Sequence, residues 1–213
     1  MKIGLFGATG KTGGHVLRLA LDAGHEVVAL ARSPEKLATD HGALTVVQGD
    51  MMNKADVEKV VLYVDVVIMA AGPVKSSPIE MLTTAARNIV DGMKAGRTKR
   101  LVWLTGAGVL DERDGTAFSR TVVRGIMKIA AGKMLKSSEE AYEIITSSGL
   151  EYTVVRPPML ADEPGGVNLA GSYTPPKPIP VGRGDLAEFL LNAATSGEWV
   201  NESPLVSYSE RKR

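Results

Sequence analysis

Lys2-Ile3-Gly4-Leu5-Phe6-Gly7-Ala8-Thr9-Gly10-Lys11-Thr12-Gly13-Gly14 opens the chain with a short apolar run that stops at a glycine. Glycine then recurs at every third position, at Gly7, Gly10 and Gly13. Behind it, a helical pattern carries Val16, Leu17, Ala20 and Leu21 on one side. A strand that breaks into a glycine turn and feeds a helix is a means of holding phosphate. Gly7 permits the tight turn, Gly10 lets backbone approach a pyrophosphate, and Gly13 lets the helix pack close to the strand. The helix N-terminus then offers free N–H groups to the anion.

Context raises this above a chance repeat. Glu26-Val27-Val28-Ala29-Leu30, introduced by Ala23-Gly24-His25, reads as a second strand closing a unit of roughly 30 residues. The combination predicts dinucleotide binding through Gly7, Thr9, Gly10, Lys11, Thr12 and Gly13. Gly10-Lys11-Thr12 imitates the end of an ATP-binding P-loop, but that motif needs glycine where Leu5 stands. Leu5 removes that reading.

A length of 213 residues predicts a single domain, 1–213, with a small lobe built from insertions. The net charge of +1 supplies no field that would steer nucleic acid or a membrane surface. Cysteine is absent, which excludes disulfides, a thiolate nucleophile and cysteine metal sites, and fits a cytoplasmic protein. The first strand starts at Lys2, leaving no room for a signal peptide, and no apolar run approaches the ~20 residues needed to span a bilayer. Ser209–Arg213 reads as a solvated basic tail.

Strands are predicted at Lys2–Phe6, Glu26–Leu30, Leu44–Gln48, Val64–Ala71, Arg100–Thr105 and Glu151–Arg156. Several are continuously apolar rather than alternating, which marks strands buried on both faces of a parallel sheet. Helices are predicted at Thr12–Ala23, around Pro34–Thr39, and at Asn53–Val61, Ile79–Ala95, Lys136–Ser148 and Leu186–Ala194. Asn53 and Pro34 serve as starts, Gly96 and Gly149 as stops, and Asp185 as the last helix's cap. The alternation gives an α/β fold with a doubly wound parallel sheet. Two stretches break the rhythm, 106–136 and 157–184. Both leave the carboxyl end of a strand, the edge at which such sheets bind ligands, and are expected to wall a substrate pocket.

The end of the second strand decides between NAD and NADP. An acid there would bind a ribose 2′-hydroxyl, but the residues are Ala31-Arg32-Ser33. Arg32 can pair bidentately with a 2′-phosphate, with Ser33 or Lys36 as a further donor, so NADPH is expected over NADH. The alternative is a solvated surface arginine. Gly49-Asp50-Met51 follows the third strand, where adenine should lie; Asp50 can accept from the adenine amino group or cap the next helix. Ala70-Ala71-Gly72 ends the fourth strand with side chains small enough for a ribose and diphosphate to lie on backbone.

Together with Ala86-Arg87-Asn88-Ile89-Val90, Ser148-Gly149-Leu150-Glu151-Tyr152-Thr153-Val154-Val155-Arg156-Pro157 and Gly171-Ser172-Tyr173, these motifs resemble the atypical short-chain dehydrogenase/reductases. Within them, the chain is most similar to the NAD(P)H-binding group that includes biliverdin-IXβ/flavin reductase and the NmrA-like proteins. The resemblance covers nearly the whole length and implies a Rossmann fold with a nicotinamide cofactor. It puts Thr105 where the superfamily carries a catalytic serine or threonine, and Gly106 where the flavin-reductase-like enzymes carry a serine. Thr105, Gly106 and Pro157 are also expected beside the cofactor.

The superfamily's proton donor is a Tyr-x-x-x-Lys pair on the helix after the fifth strand. Lys136 can be the lysine, but four residues earlier stands Gly132. Lys136 is otherwise an i,i+4 surface partner of Glu140. The spacing recurs at Tyr173/Lys177, where Pro175 and Pro176 preclude a helix, and at Tyr208/Lys212 in the tail. His15, His25 and His41 lie away from the expected substrate edge, and no paired cluster predicts a metal site.

Chemistry without a protein acid remains open, because a conjugated acceptor such as a flavin, tetrapyrrole or quinone spreads charge and collects its proton from water. A pocket including Pro157-Pro158-Met159-Leu160 suits it. Arg120, Arg124 and Lys128 form a basic face on a segment that either meets a membrane surface or covers the site. The expected function is reduction of such a small-molecule acceptor, by a monomer or homodimer without nucleic acid or membrane insertion. The alternative is a non-catalytic NADP-binding redox sensor of NmrA-like type. A sugar-nucleotide epimerase is disfavoured, since its chemistry needs the tyrosine.

Overall fold

The computed structural model describes residues 1–37, 39–74, 76–115, 118–163, 169–174 and 179–208, with 118–131 as helical backbone only. Lys177, Lys212, Pro175, Pro176, the tail 209–213 and the side chains of Arg120, Arg124 and Lys128 lie outside the described residues.

Six parallel strands form the central sheet: β1 (Lys2–Phe6), β2 (Glu26–Ala31), β3 (Leu44–Gln48), β4 (Val66–Met69), β5 (Arg100–Leu104) and β6 (Glu151–Val155). Their order is β3-β2-β1-β4-β5-β6, all parallel. The order reverses between β1 and β4, and a crevice opens at such a switch point beyond the carboxyl ends of the strands. This is the doubly wound Rossmann arrangement expected from the sequence.

The continuous apolar runs follow from burial on both faces. Along β1, Ile3 and Leu5 enter one core and Phe6 the other. Along β4, Val66 and Ile68 alternate in the same way with Val67 and Met69. One face is covered by α1 (Lys11–Asp22) and α5 (Arg183–Ser196), which contribute Val16, Leu17, Leu186 and Leu190. The other is covered by α2 (Lys54–Val61), α3 (Met81–Gly96) and α4 (Phe118–Thr146). Val57, Ile89 and Ile145 pack there around Trp103.

Asn53 starts α2 as expected, its side chain accepting from the N–H groups of Ala55 and Asp56. Several boundaries differ from the sequence expectation. The fourth strand is shorter, because the Lys2 N–H donates to the Asp65 side chain and the Asp65 N–H to the Lys2 carbonyl, which closes that edge. Pro34–Lys36 is one 3-10 turn. Arg97, with φ of 69°, takes the left-handed position after α3 that Gly96 was expected to supply. α5 starts two residues before Asp185, capped by Gly182 without a side-chain bond. Instead of a partly helical stretch followed by a separate helix from Lys136, α4 runs unbroken through Gly125 and Gly132.

Beyond the main sheet, β7 (Leu160–Ala161) pairs with β9 (Val181–Gly182), and β8 (Leu169–Ser172) with β10 (Leu205–Tyr208). These short pairs form a small lobe beside the sheet's carboxyl edge.

Candidate cofactor and active site

The glycine turn is closed by the Gly10 N–H donating to the Gly7 carbonyl at 2.9 Å. Gly7 has φ of 91°, and a Cβ there would stand 2.6 Å from the Ala71 nitrogen. A Cβ on Gly13 would stand 2.0 Å from the Gly7 carbonyl oxygen. Both positions therefore require glycine, the first for conformation and contact, the second for contact alone. α1 begins directly afterwards, with Gly10 as a cap that has no side chain and no acid in the first turn. Its first N–H groups are left for an anion.

A cleft of about 700 Å³ opens at this turn. Of the residues expected from sequence to hold a cofactor, Gly7, Thr9, Gly10, Lys11 and Thr12 line it from the turn. Arg32 and Lys36 line it beyond β2, Met51 beyond β3, Ala70, Ala71 and Gly72 beyond β4, and Thr105 and Gly106 beyond β5. Asn88 steadies the Met51 corner by donating to the Met51 carbonyl at 3.0 Å.

Five expected residues are not on the cleft wall. Gly13 sits behind the turn, where it permits the close approach described above. The Asp50 carboxylate accepts from the Met52 N–H at 2.9 Å and turns the loop, and the helix cap is Asn53 rather than Asp50. Ser33 supplies its carbonyl to the Lys36 N–H in the 3-10 turn. Pro157 accepts from the Ala107 N–H and so props the loop that carries Gly106. Lys136 is a correction of more consequence. Its side chain is 77% exposed and reaches Glu140 at 3.8 Å, the i,i+4 surface pairing.

A model of the NAD(P)H-binding family matches residues 7–196, nearly the whole chain. The chain belongs to the NAD(P)H-binding family. The uncharacterized protein YwnB of Bacillus subtilis is 30% identical over 110 residues, 52% of this chain and 49% of its own, so the chain spans about half of that relative's length. Among solved structures, ChuY, an anaerobillin reductase of Escherichia coli O157:H7, superposes with a TM-score of 0.80 at 22% identity over 100% of both chains. The oxidoreductase ylbE of Lactococcus lactis gives 0.80 at 17%, covering 99% of this chain and 92% of the other. A wide-type short-chain dehydrogenase/reductase of Veillonella parvula in complex with NADP gives 0.78 at 16%, covering 100% and 96%. At these identities, the likeness to the three structures is one of fold.

The residues of this NAD(P)H-binding chain fit a nicotinamide dinucleotide. A glycine cradle that a Cβ would fill stands under an uncapped helix N-terminus. The titratable side chains on the cleft wall, among the described residues, are all cations: Lys11, Arg32, Lys36 and Arg183. Such a field suits an anionic ligand.

The substrate side has different chemistry. Met81, Leu82, Val109, Met134, Leu135 and Leu160 make it apolar, and its hydroxyls, among the described residues, are those of Thr105 and Ser138. The i,i+4 pair that α4 presents to the cleft is Met134 and Ser138, two residues along from the expected Gly132 and Lys136. Sequence carried no sign of this register, because α4 was not recognised as one helix. Arg183 was also missed, although Asp185, two residues on, was read as a helix cap. The Thr105 N–H donates to the Val155 carbonyl at 3.0 Å, extending β5 towards the cleft. A Cβ on Gly106 would meet nothing within 4 Å.

Tyrosines lie behind this wall rather than on it. Tyr142 on α4 donates to Asp111 at 2.7 Å and sits 3.2 Å from the Ser203 hydroxyl. Burial pushes its own hydroxyl up to about 12. Burial opposes ionisation of Asp111 too, but hydrogen bonds from Arg113 and Tyr142 hold that carboxyl well below the usual range. Tyr173 bonds to Glu202 and accepts from the Ser203 N–H, with Arg113 4.5 Å over its ring. Tyr208 donates to Asp185 at 2.6 Å and accepts from the Gly182 N–H. Fully buried Arg156 pairs with Asp114 at 2.7 Å and donates to the Val109 and Ser203 carbonyls, tying the loop after β5 to β6. These bonds shape the lobe. Among the described residues, no helix is long and apolar enough to cross a membrane, and no group of histidines and carboxylates is arranged for a metal.

Proposed function

We propose that the chain is an NADPH-dependent reductase of an extended conjugated acceptor, a flavin, tetrapyrrole or quinone, working without a proton donor of its own. Carrying this reading is the wall facing the acceptor: Met134 and Ser138 occupy the cleft-facing turn of α4, and no described lining residue is a tyrosine, histidine or carboxylic acid. Reduced nicotinamide supplies a hydride when bound. The protein's part is to bind, to orient and to exclude water. The glycine turn and the first turn of α1 hold the diphosphate. Arg32 and Lys36 hold a 2′-phosphate, which favours NADPH over NADH. Ala70 to Gly72 leave room for the ribose, while Thr105 and Gly106 flank the reacting end.

In this reading 106–136 and 157–184 form the acceptor's walls within one domain, supported by the positions of Gly106, Val109, Leu135 and Leu160 on the cleft. An apolar wall suits a flat conjugated ring system, whose charge spreads over the rings until water provides the proton. The proposal includes a cytoplasmic location and a small-molecule acceptor. Purified protein mixed with NADPH and FMN, riboflavin, biliverdin or a quinone should lose nicotinamide absorbance only when acceptor is present. Tight NADPH binding with no acceptor-dependent loss would favour a redox sensor instead.

A further inference from the structure

Two of the cleft's cations are engaged by a carboxylate from the small lobe. Asp162, the residue after β7, accepts from Lys11 Nζ at 2.6 Å through Oδ2 and from Arg183 Nη1 at 2.5 Å through Oδ1. The parallel β7–β9 ladder accounts for the placement. Leu160 pairs with Val181 and Ala161 with Gly182, so the next step brings Asp162 beside Arg183. Lys11 and Arg183 are each the first residue of a helix, α1 and α5, whose caps Gly10 and Gly182 bring no side chain to the anion. Lys11 holds the Asp162 carboxyl below its usual range, so it is charged at neutral pH.

The Lys11–Asp162 pair is exposed, with 69% of the Lys11 side chain and 58% of the Asp162 side chain open to solvent, and such ion pairs hold weakly; Arg183 is the more enclosed of the two cations, at 22%. A phosphate brings more charge and more acceptor oxygens than one carboxylate. Both cations line the cleft alongside Gly10 and Thr12. The geometry points to an anion subsite for a phosphate or diphosphate group, made by Lys11 and Arg183 and filled by Asp162 as an exchangeable internal occupant. An arriving phosphate takes both cations and releases Asp162 to solvent. Leu160, two residues before Asp162, is on the acceptor wall, so the exchange couples anion binding to that wall. The subsite rests on the proposed function only for which ligand brings the phosphate.

The test compares wild type, Asp162→Asn and the double variant Asp162→Asn/Arg183→Met, titrated with inorganic pyrophosphate, NADPH, FMN and riboflavin. Removing an internal competitor should tighten pyrophosphate about fivefold, the upper end of what a weakly held ion pair is worth. The double variant should lose that gain while keeping the thermal midpoint of Asp162→Asn. NADPH tightening in step with pyrophosphate assigns the subsite to the dinucleotide's diphosphate. FMN tightening without riboflavin assigns it to the acceptor's phosphate. Unchanged or weaker pyrophosphate binding in Asp162→Asn overturns the proposal, whatever NADPH does, because Asp162 would then be ordering the cations rather than occupying their site. Wild type that binds pyrophosphate and not NADPH would remove the cofactor reading and leave the subsite standing.

Discussion

Ser138 Oγ donates to the Met134 carbonyl at 3.0 Å, one helical turn back, and the two residues share the cleft-facing edge of α4. This cleft-facing hydroxyl is thus engaged within its own helix. Removing a true general acid costs roughly a hundredfold or more. Ser138→Ala should instead keep kcat/KM for FMN within about threefold, far short of that loss. Steady-state rates with saturating NADPH check this.

Arg32 lines the cleft beyond β2, where no described lining residue is an acid that would bind a 2′-hydroxyl. Charge-assisted bonds to a phosphate are worth about 1.5–3 kcal/mol, so Arg32→Glu should weaken NADPH roughly ten- to a hundredfold. NADH, which lacks that phosphate, should change by much less. Equal losses, measured by fluorescence titration of each cofactor, would show that Arg32 does not read the 2′-phosphate.

Gly106 has open space where a side chain would go. Gly106→Ser should therefore fold with an unchanged thermal midpoint. The new hydroxyl beside the reacting end should raise the rate with FMN by up to about tenfold, the worth of one hydrogen bond.

Gly13 gives the opposite case. Its Cβ would collide with the Gly7 carbonyl at 2.0 Å, so Gly13→Ala should cost at least about 3 kcal/mol in denaturant unfolding and abolish NADPH binding. Gly24→Ala is the control. Gly24 has φ of 78° but nothing within 4 Å, so the cost should be the conformational penalty alone, about 1–2 kcal/mol.

Tyr142 sets an alkaline limit. Its hydroxyl is raised from 10.0 to about 12 in the folded state, chiefly by burial. The folded protein then holds this proton more tightly than the unfolded chain, so the stability it confers is full below pH 10 and lost as pH rises towards about 12. Tyr142→Phe should flatten that part of the stability–pH curve, measured by urea unfolding across it.

The sheet was legible because double-sided burial writes long apolar runs such as Val66 to Met69, and the glycine turn because Gly7 and Gly13 have no steric substitute. Thirteen of the expected cofactor residues reach the cleft wall for the same reason: strand ends fix where they stand. The acceptor side was not legible in this way. α4 passes through Gly125 and Gly132 in one helix, and its buried Leu135, Ala141 and Ile145 anchor the C-terminal half. Missing that continuity misplaced Lys136 and hid Met134 and Ser138. The strands β7 to β10 are two to four residues long, and their partners lie far off in sequence, as Leu169 does from Tyr208. Arg183 and Asp162 meet through the β7–β9 pairing.

An anaerobic single turnover with NADPH fully deuterated at C4 and with FMN tests the central claim most directly. The expected result is loss of nicotinamide absorbance and bleaching of the flavin with one shared rate constant, slowed relative to unlabelled NADPH and flat across neutral pH. Saturable NADPH binding in which neither absorbance changes would contradict a reductase of conjugated acceptors.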